Sequence, residues 1–155
     1  MRIRKAGESD SSQFLNLVKA LANFEHLRPP SEAAGRRMLR EIFKRHSISL
    51  LVAESGGNLV GYVLYFFTYS SFLAKPTLYI EDLFVLEEHR GGGIGRGLFL
   101  KCVAEAVRRG CGRMEWSVLN WNTKAIKFYE GLGARKLDEW SVFRLDEKAL
   151  RALKK

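Results

Sequence analysis

Cysteine is scarce in this chain, with only Cys102 and Cys111 among 155 residues. Cys102 falls on the apolar stripe of a helical segment, where a buried free thiol is the better reading than a disulfide. The three histidines, His26, His46 and His89, lie far apart, and no Cys or His pair has zinc-like spacing. A metal site is therefore not expected. No apolar run approaches the ~20 residues that span a bilayer. The opening Met-Arg-Ile-Arg-Lys runs straight into charged residues, without the apolar stretch of a signal peptide. The expectation is a cytoplasmic protein with no membrane association. Internal repeats, low-complexity linkers and composition breaks are also missing, which predicts one domain over 1–155.

What is present is ordinary globular material, 46% hydrophobic and 28% charged. The balance of charge is not ordinary: 26 Lys and Arg against 17 Asp and Glu give a net +9. Such an excess suits a phosphorylated cofactor, nucleic acid or an acidic surface. Taken alone, it fits a solvated basic surface better. Arg36, Arg37, Arg40, Lys44 and Arg45 gather on one predicted helix. No aromatic residues interleave them, so nucleic acid is not the expected partner.

Periodicity divides the chain into elements. Residues 2–6 read as a short strand. Phe14, Leu17, Val18, Leu21 and Phe24 recur at helical spacing and predict a helix over 10–24. Ser31 is placed to cap a second helix, with Met38, Leu39, Ile42 and Phe43 on its apolar side. The runs 48–53 and 59–69, separated by Ser55-Gly56-Gly57-Asn58, predict an antiparallel hairpin. Residues 70–77, with Pro76, read as a loop, and 78–86 as a strand. A helix follows to about Arg109 and stops at Gly110. A strand over 114–119, a short helix carrying Ala125, Phe128 and Tyr129, one or two closing strands within 134–145 and a short terminal helix complete the order. The fold class is α/β, a mixed sheet flanked by helices.

The most distinctive stretch runs from Ile80 to Gly97. A hydrophobic strand carries Glu81 and Asp82, and five of the seven residues from Gly91 to Gly97 are glycine. A glycine-rich turn feeding a helix presents unpaired N–H groups and the positive end of the helix dipole, a combination that binds phosphate. Two familiar phosphate motifs fail. No Lys-Ser or Lys-Thr follows the glycines, which excludes a P-loop. A dinucleotide fingerprint starting at Gly91 would need glycine at 96, where the chain has Arg96.

Arg90-Gly91-Gly92-Gly93-Ile94-Gly95 instead fits Arg/Gln-x-x-Gly-x-Gly between strand and helix. This resembles the acetyl-CoA pyrophosphate loop of the GNAT superfamily of N-acetyltransferases. The segment from Asn120-Trp121-Asn122 through Phe128-Tyr129 resembles the superfamily's final catalytic helix. Phe67-Thr68-Tyr69, Tyr79 to Val85 and Leu21 to Glu25 are similar to the spermidine/spermine (diamine) acetyltransferase branch. The resemblance extends from Ile3 to about Leu150. It implies a GNAT-like fold whose sheet splays at an acetyl-CoA cleft, and a homodimer.

The resemblance also implies site residues. Leu83, Phe84 and Val85 would pair through their backbone with the pantetheine arm. Arg90, Gly91, Gly92, Gly93, Ile94, Gly95, Arg96 and Asn122 would contact the cofactor. Asn122 also has the sequence of a helix N-cap. Tyr129 is the candidate acid, since a phenol with a reference pKa of about 10 holds a proton at neutral pH. Glu81 is the candidate base, with Asp82 as the alternative. Neighbours in a regular strand face opposite ways, so both reach one cleft only across a bulge. Phe24, Glu25, Glu81 and Asp82 would hold the acceptor amine. The branch carries an acid and a tryptophan where this chain has Ser70, Ser71 and Phe72, and another acid in place of Asn120; losing two acids weakens the case for a long polycation. The expected acceptor is a small diamine-like amine. An amino acid, a thialysine-like amine or a protein lysine stays open. A nucleic-acid-binding module is the reading from another class.

Overall fold

The computed structural model describes residues 1–154, which form two compact units, Met1–Ser117 and the residues from 118 on. In the first unit, β1 (Arg2–Lys5) leads to α1 (Ser11–Phe24) and α2 (Glu32–Arg40), which runs on as a π-helical turn over Glu41–Arg45. Then come β2 (Ser49–Ser55), β3 (Asn58–Ser70), β4 (Lys75–Val85), α3 (Ile94–Arg108) and β5 (Arg113–Trp116). The strands form one sheet in the order β1-β2-β3-β4-β5, antiparallel except for the parallel β4–β5 pair.

Local chemistry explains the boundaries. Ser31 caps α2 by accepting from the Ala34 N–H at 3.2 Å. Gly56 and Gly57 both take positive φ, which a two-residue hairpin with the sheet's twist requires. At the end of α3, Cys111 N–H donates to Ala106 O and Gly110 N–H to Val107 O, with Gly110 at φ 66°. That is a Schellman stop.

One side of the sheet packs on α1 and α2 through Phe14, Leu17, Ile42, Val52, Tyr62, Leu64 and Phe84. Alternation sends Val63 to the opposite side. Leu98 and Cys102 of α3 are also fully buried, and burial pushes the Cys102 thiol up to about 12.

In the second unit, α4 (Thr123–Gly131) and α5 (Glu147–Leu153) are each capped by an Asx side chain: Asn122 accepts from Ala125 N–H and Asp146 from Ala149 N–H.

Three expectations need correction. The predicted loop over 70–77 shrinks to 71–74, because the β3–β4 ladder runs out to Ser70↔Lys75 and takes Pro76 into β4. Proline is tolerated there, at the start of the strand and before the β5 ladder begins at Thr77. β5 is shorter than predicted and ends at Trp116. The stretch 134–145 contains no strand among the described residues. Its unit offers no strand to pair with, and backbone groups without a ladder stay with water. Trp140, Val142 and Phe143 are exposed.

Candidate active site

β4 changes character halfway along. From Thr77 to Ile80 it is held on both sides, by β3 and by β5. The β5 ladder ends at Ile80↔Trp116, while the β3 ladder continues to Gly61↔Val85. Leu83, Phe84 and Val85 are therefore paired by strands on the β3 side alone. At the same point the β3 register slips: Leu64 faces Asp82 and Tyr65 faces Ile80, leaving Glu81 as the extra residue of a bulge. The sheet opens where the two carboxylates of β4 lie.

The bulge separates the two acids in environment. Glu81 is exposed and Asp82 partly buried. Asp82 Oδ2 accepts from the Tyr62 hydroxyl at 3.1 Å. Desolvation pushes the Asp82 carboxyl up to about 6, against the Tyr62 hydrogen bond that lowers it, and the charges of Glu81 and Glu25 add to the rise. Burial also raises Glu25, at the end of α1. Tyr62 is raised well above an ordinary phenol, by burial first and then by Asp82. Glu25, Glu81, Asp82 and Tyr62 thus form one electrostatic group, drawn from α1, β3 and β4.

Arg90 joins that group to the glycine turn. Its Nε donates to Val85 O at 2.8 Å, and its guanidinium lies 4.8 Å from the Phe24 ring centre and 5.6 Å from that of Phe84. Immediately after it, Gly91 (φ 82°) and Gly93 (φ 80°) adopt left-handed backbone, and Gly93 is the N-cap of α3 without a side-chain cap. A Cβ added at Gly91, Gly92 or Gly93 would meet nothing within 4 Å. The first-turn N–H groups of Ile94, Gly95 and Arg96 have no intrahelical acceptor. Ile94 is buried and Arg96 exposed.

In the second unit, Asn122 is the N-cap of α4 and Tyr129 lies within the helix, seven residues further on. The Tyr129 ring packs edge-on against Phe128 at 5.0 Å.

The first unit therefore brings together the acids, Phe24, the strand edge and the glycine turn. The sequence reading missed Tyr62. Its signal is weak, since it is one of two tyrosines, with Tyr65, in the apolar run 59–67.

A strand edge that opens beside a glycine-capped helix is an arrangement suited to a phosphate-bearing ligand. The sequence profile of the Acetyltransferase (GNAT) family matches residues 15–134. Thialysine N-epsilon-acetyltransferase of Mus musculus is 35% identical over 164 residues, covering 98% of this chain and 96% of its own. L-ornithine N5-acetyltransferase of Arabidopsis thaliana is 46% identical over 97 residues, covering 63% of this chain and 42% of its own. A crystal structure of a probable acetyltransferase superposes with a TM-score of 0.83 at 22% identity, covering 94% of this chain and 97% of that one. The chain belongs to the GNAT acetyltransferase family, and it is an acyltransferase.

Proposed function

We propose that this protein transfers an acetyl group from acetyl-CoA to the terminal primary amine of a short, diamine-like acceptor, both substrates binding before transfer. The observation that carries this reading is the acidic group Glu25, Glu81 and Asp82 at the point where β4 leaves β5. A cationic amine needs such a group on a chain of net charge +9.

The residues present fit the donor. The open glycine turn, its two left-handed glycines and the uncapped start of α3 suit a pyrophosphate, held by N–H groups of Gly91 to Gly95. Arg90 and Arg96 add positive charge, and Arg90 braces the turn against Val85. The backbone of Leu83, Phe84 and Val85 would take the pantetheine arm as an added strand. Asn122 would contact the cofactor from the start of α4. The donor supplies an activated thioester carbonyl.

The chain's own work is to bind and move protons. Asp82 and Glu25 would hold the ammonium, with Phe24 packing its carbon chain. An alkylamine resembles lysine, with a pKa of about 10.4, so it must lose a proton before attack. Glu81, exposed on the bulge, would receive that proton through water, with Asp82 as the alternative. The Tyr129 hydroxyl would hold the proton given up as transfer ends.

The relatives' names favour a particular acceptor within this class, a diamino acid side chain of the thialysine or ornithine type. The chain would act as one acetyltransferase domain, since the family match runs through both units. A cytoplasmic homodimer with no nucleic-acid or membrane partner completes the reading. No helix among the described residues is long and apolar enough to cross a membrane.

A thiol-release screen with acetyl-CoA against putrescine, spermidine, ornithine, lysine, thialysine and a lysine peptide tests it. Turnover is expected with the short diamines and diamino acids. Acetylation of the peptide alone would overturn the acceptor class. Tyr129→Phe should lower kcat by about 10²-fold with little change in acetyl-CoA affinity, and an unchanged rate would remove Tyr129 as the acid.

A further inference from the structure

Tyr62 has no role in the scheme above, yet it is fully enclosed and its hydroxyl touches Asp82. Its ring is held edge-on by Phe14, with centres 5.1 Å apart and planes at 84°, and is tilted against Phe84 at 6.3 Å. Packing does not explain its hydroxyl. Phenylalanine would fill the same slot without taking a polar group out of water. The hydroxyl donates to Asp82 Oδ2, and rings on two sides fix the direction in which it donates.

The surroundings of Asp82 give that bond its importance. The charged groups acting on Asp82 are Glu81 beside it on β4 and Glu25 at the end of α1, both acids. Arg90, from the turn after β4, spends its guanidinium on Phe24, Phe84 and the Val85 carbonyl. Burial and two neighbouring acids all favour a protonated Asp82, and a protonated carboxyl attracts no ammonium. A phenol that donates to the carboxylate favours the ionised form.

We propose that Tyr62 is a positioning residue for the acceptor, holding the Asp82 carboxylate ionised and aimed in one direction so that it receives the substrate ammonium. This rests on the reading of Glu25, Glu81 and Asp82 as the acceptor site. Tyr62 touches neither donor nor amine. It acts through Asp82 and sets the lower pH limit of amine binding.

The test compares wild type with Tyr62→Phe and with 3-fluorotyrosine placed site-specifically at 62, a stronger donor. Three quantities are read: kcat/KM for the amine against pH, the Kd for acetyl-CoA, and the carbon-13 titration of the Asp82 carboxyl by NMR. In Tyr62→Phe the acid limb should move up by about one pH unit, with KM for the amine rising about tenfold on that limb. The acetyl-CoA Kd and the kcat plateau at high pH should stay put. The NMR titration should move with the kinetics, and fluorotyrosine should shift both downward. Superimposable Asp82 titrations in wild type and variant would overturn the proposal, as would an equal loss in amine and acetyl-CoA affinity. If Tyr62→Phe does not fold, the fluorotyrosine shift decides. If wild type turns over no amine, the acceptor reading falls, and the NMR titration still decides whether Tyr62 governs Asp82.

Discussion

Burial of the Asp82 carboxyl has a consequence for stability. That carboxyl titrates near 6 in the folded chain, above the ordinary carboxylate value, chiefly through desolvation. A raised carboxyl favours the fold below the unfolded pKa, and that contribution is lost as pH climbs through about 6. At neutral pH, charged Asp82 therefore costs stability. Asp82→Asn keeps an acceptor for Tyr62 and removes the charge. It should raise stability at pH 7.5 by about 1–3 kcal/mol, visible as a higher Tm, while kcat/KM for the amine drops. A lower Tm would mean that the charge is better compensated than the surrounding acids suggest. Residue by residue, the site was partly legible in sequence. Glycine density, two carboxylates on an apolar strand and Asn122 before a helix all carry their chemistry in the residue type. Tyr62 does not, because a tyrosine in an apolar run looks like core until its partner across the sheet is known. The slip that leaves Glu81 unpaired likewise depends on register, which no local pattern encodes.

At the level of elements, β4 depends on its neighbour. Gly61 of β3 lies opposite Val85, and a Cβ there would stand 2.8 Å from the Phe84 carbonyl oxygen and 3.1 Å from Val85 Cγ2. Backbone cannot yield as a side chain does. Gly61→Ala should destabilise the fold by about 1–3 kcal/mol in a urea melt and weaken acetyl-CoA binding, since the strand that it displaces is the one that would carry the donor. The start of α1 depends on another fixed contact. Asp10, nearly fully buried, takes a two-pronged bond from Arg4 at 2.6 and 2.9 Å and a third from the Gly7 N–H, and Arg4 also reaches Glu54. Arg4 holds the Asp10 carboxyl below its usual range. Its contribution is thus present above the unfolded carboxylate pKa and lost as pH falls through the lower folded value. Asp10→Asn should cost about 2–3 kcal/mol at pH 7, the deficit narrowing below about pH 4 in a pH series of melts. Helix limits were the most legible features, since Ser31 and Gly110 act locally. Strands over 134–145 were not, because a strand is defined by what pairs with it.

For the whole molecule, the field of +9 sets how each substrate approaches. It would attract a phosphorylated donor and repel a cationic acceptor, which the proposed acid group must then offset. Raising salt from about 0.05 to 0.5 M should therefore weaken acetyl-CoA binding several-fold, measured as Kd by calorimetry. A Kd independent of salt would leave the glycine turn, rather than net charge, as the source of affinity. The parting of β4 from β5 after Ile80 also has a kinetic signature. The half-strand 81–85 is an edge in the interior of a sheet, and its outward amides should exchange with solvent deuterium faster than those of 77–80. A saturating donor would close that edge. Exchange at Leu83 to Val85 should then slow sharply on binding while the rest of β4 keeps its rate, so that the ligand serves as the missing sixth strand of the fold.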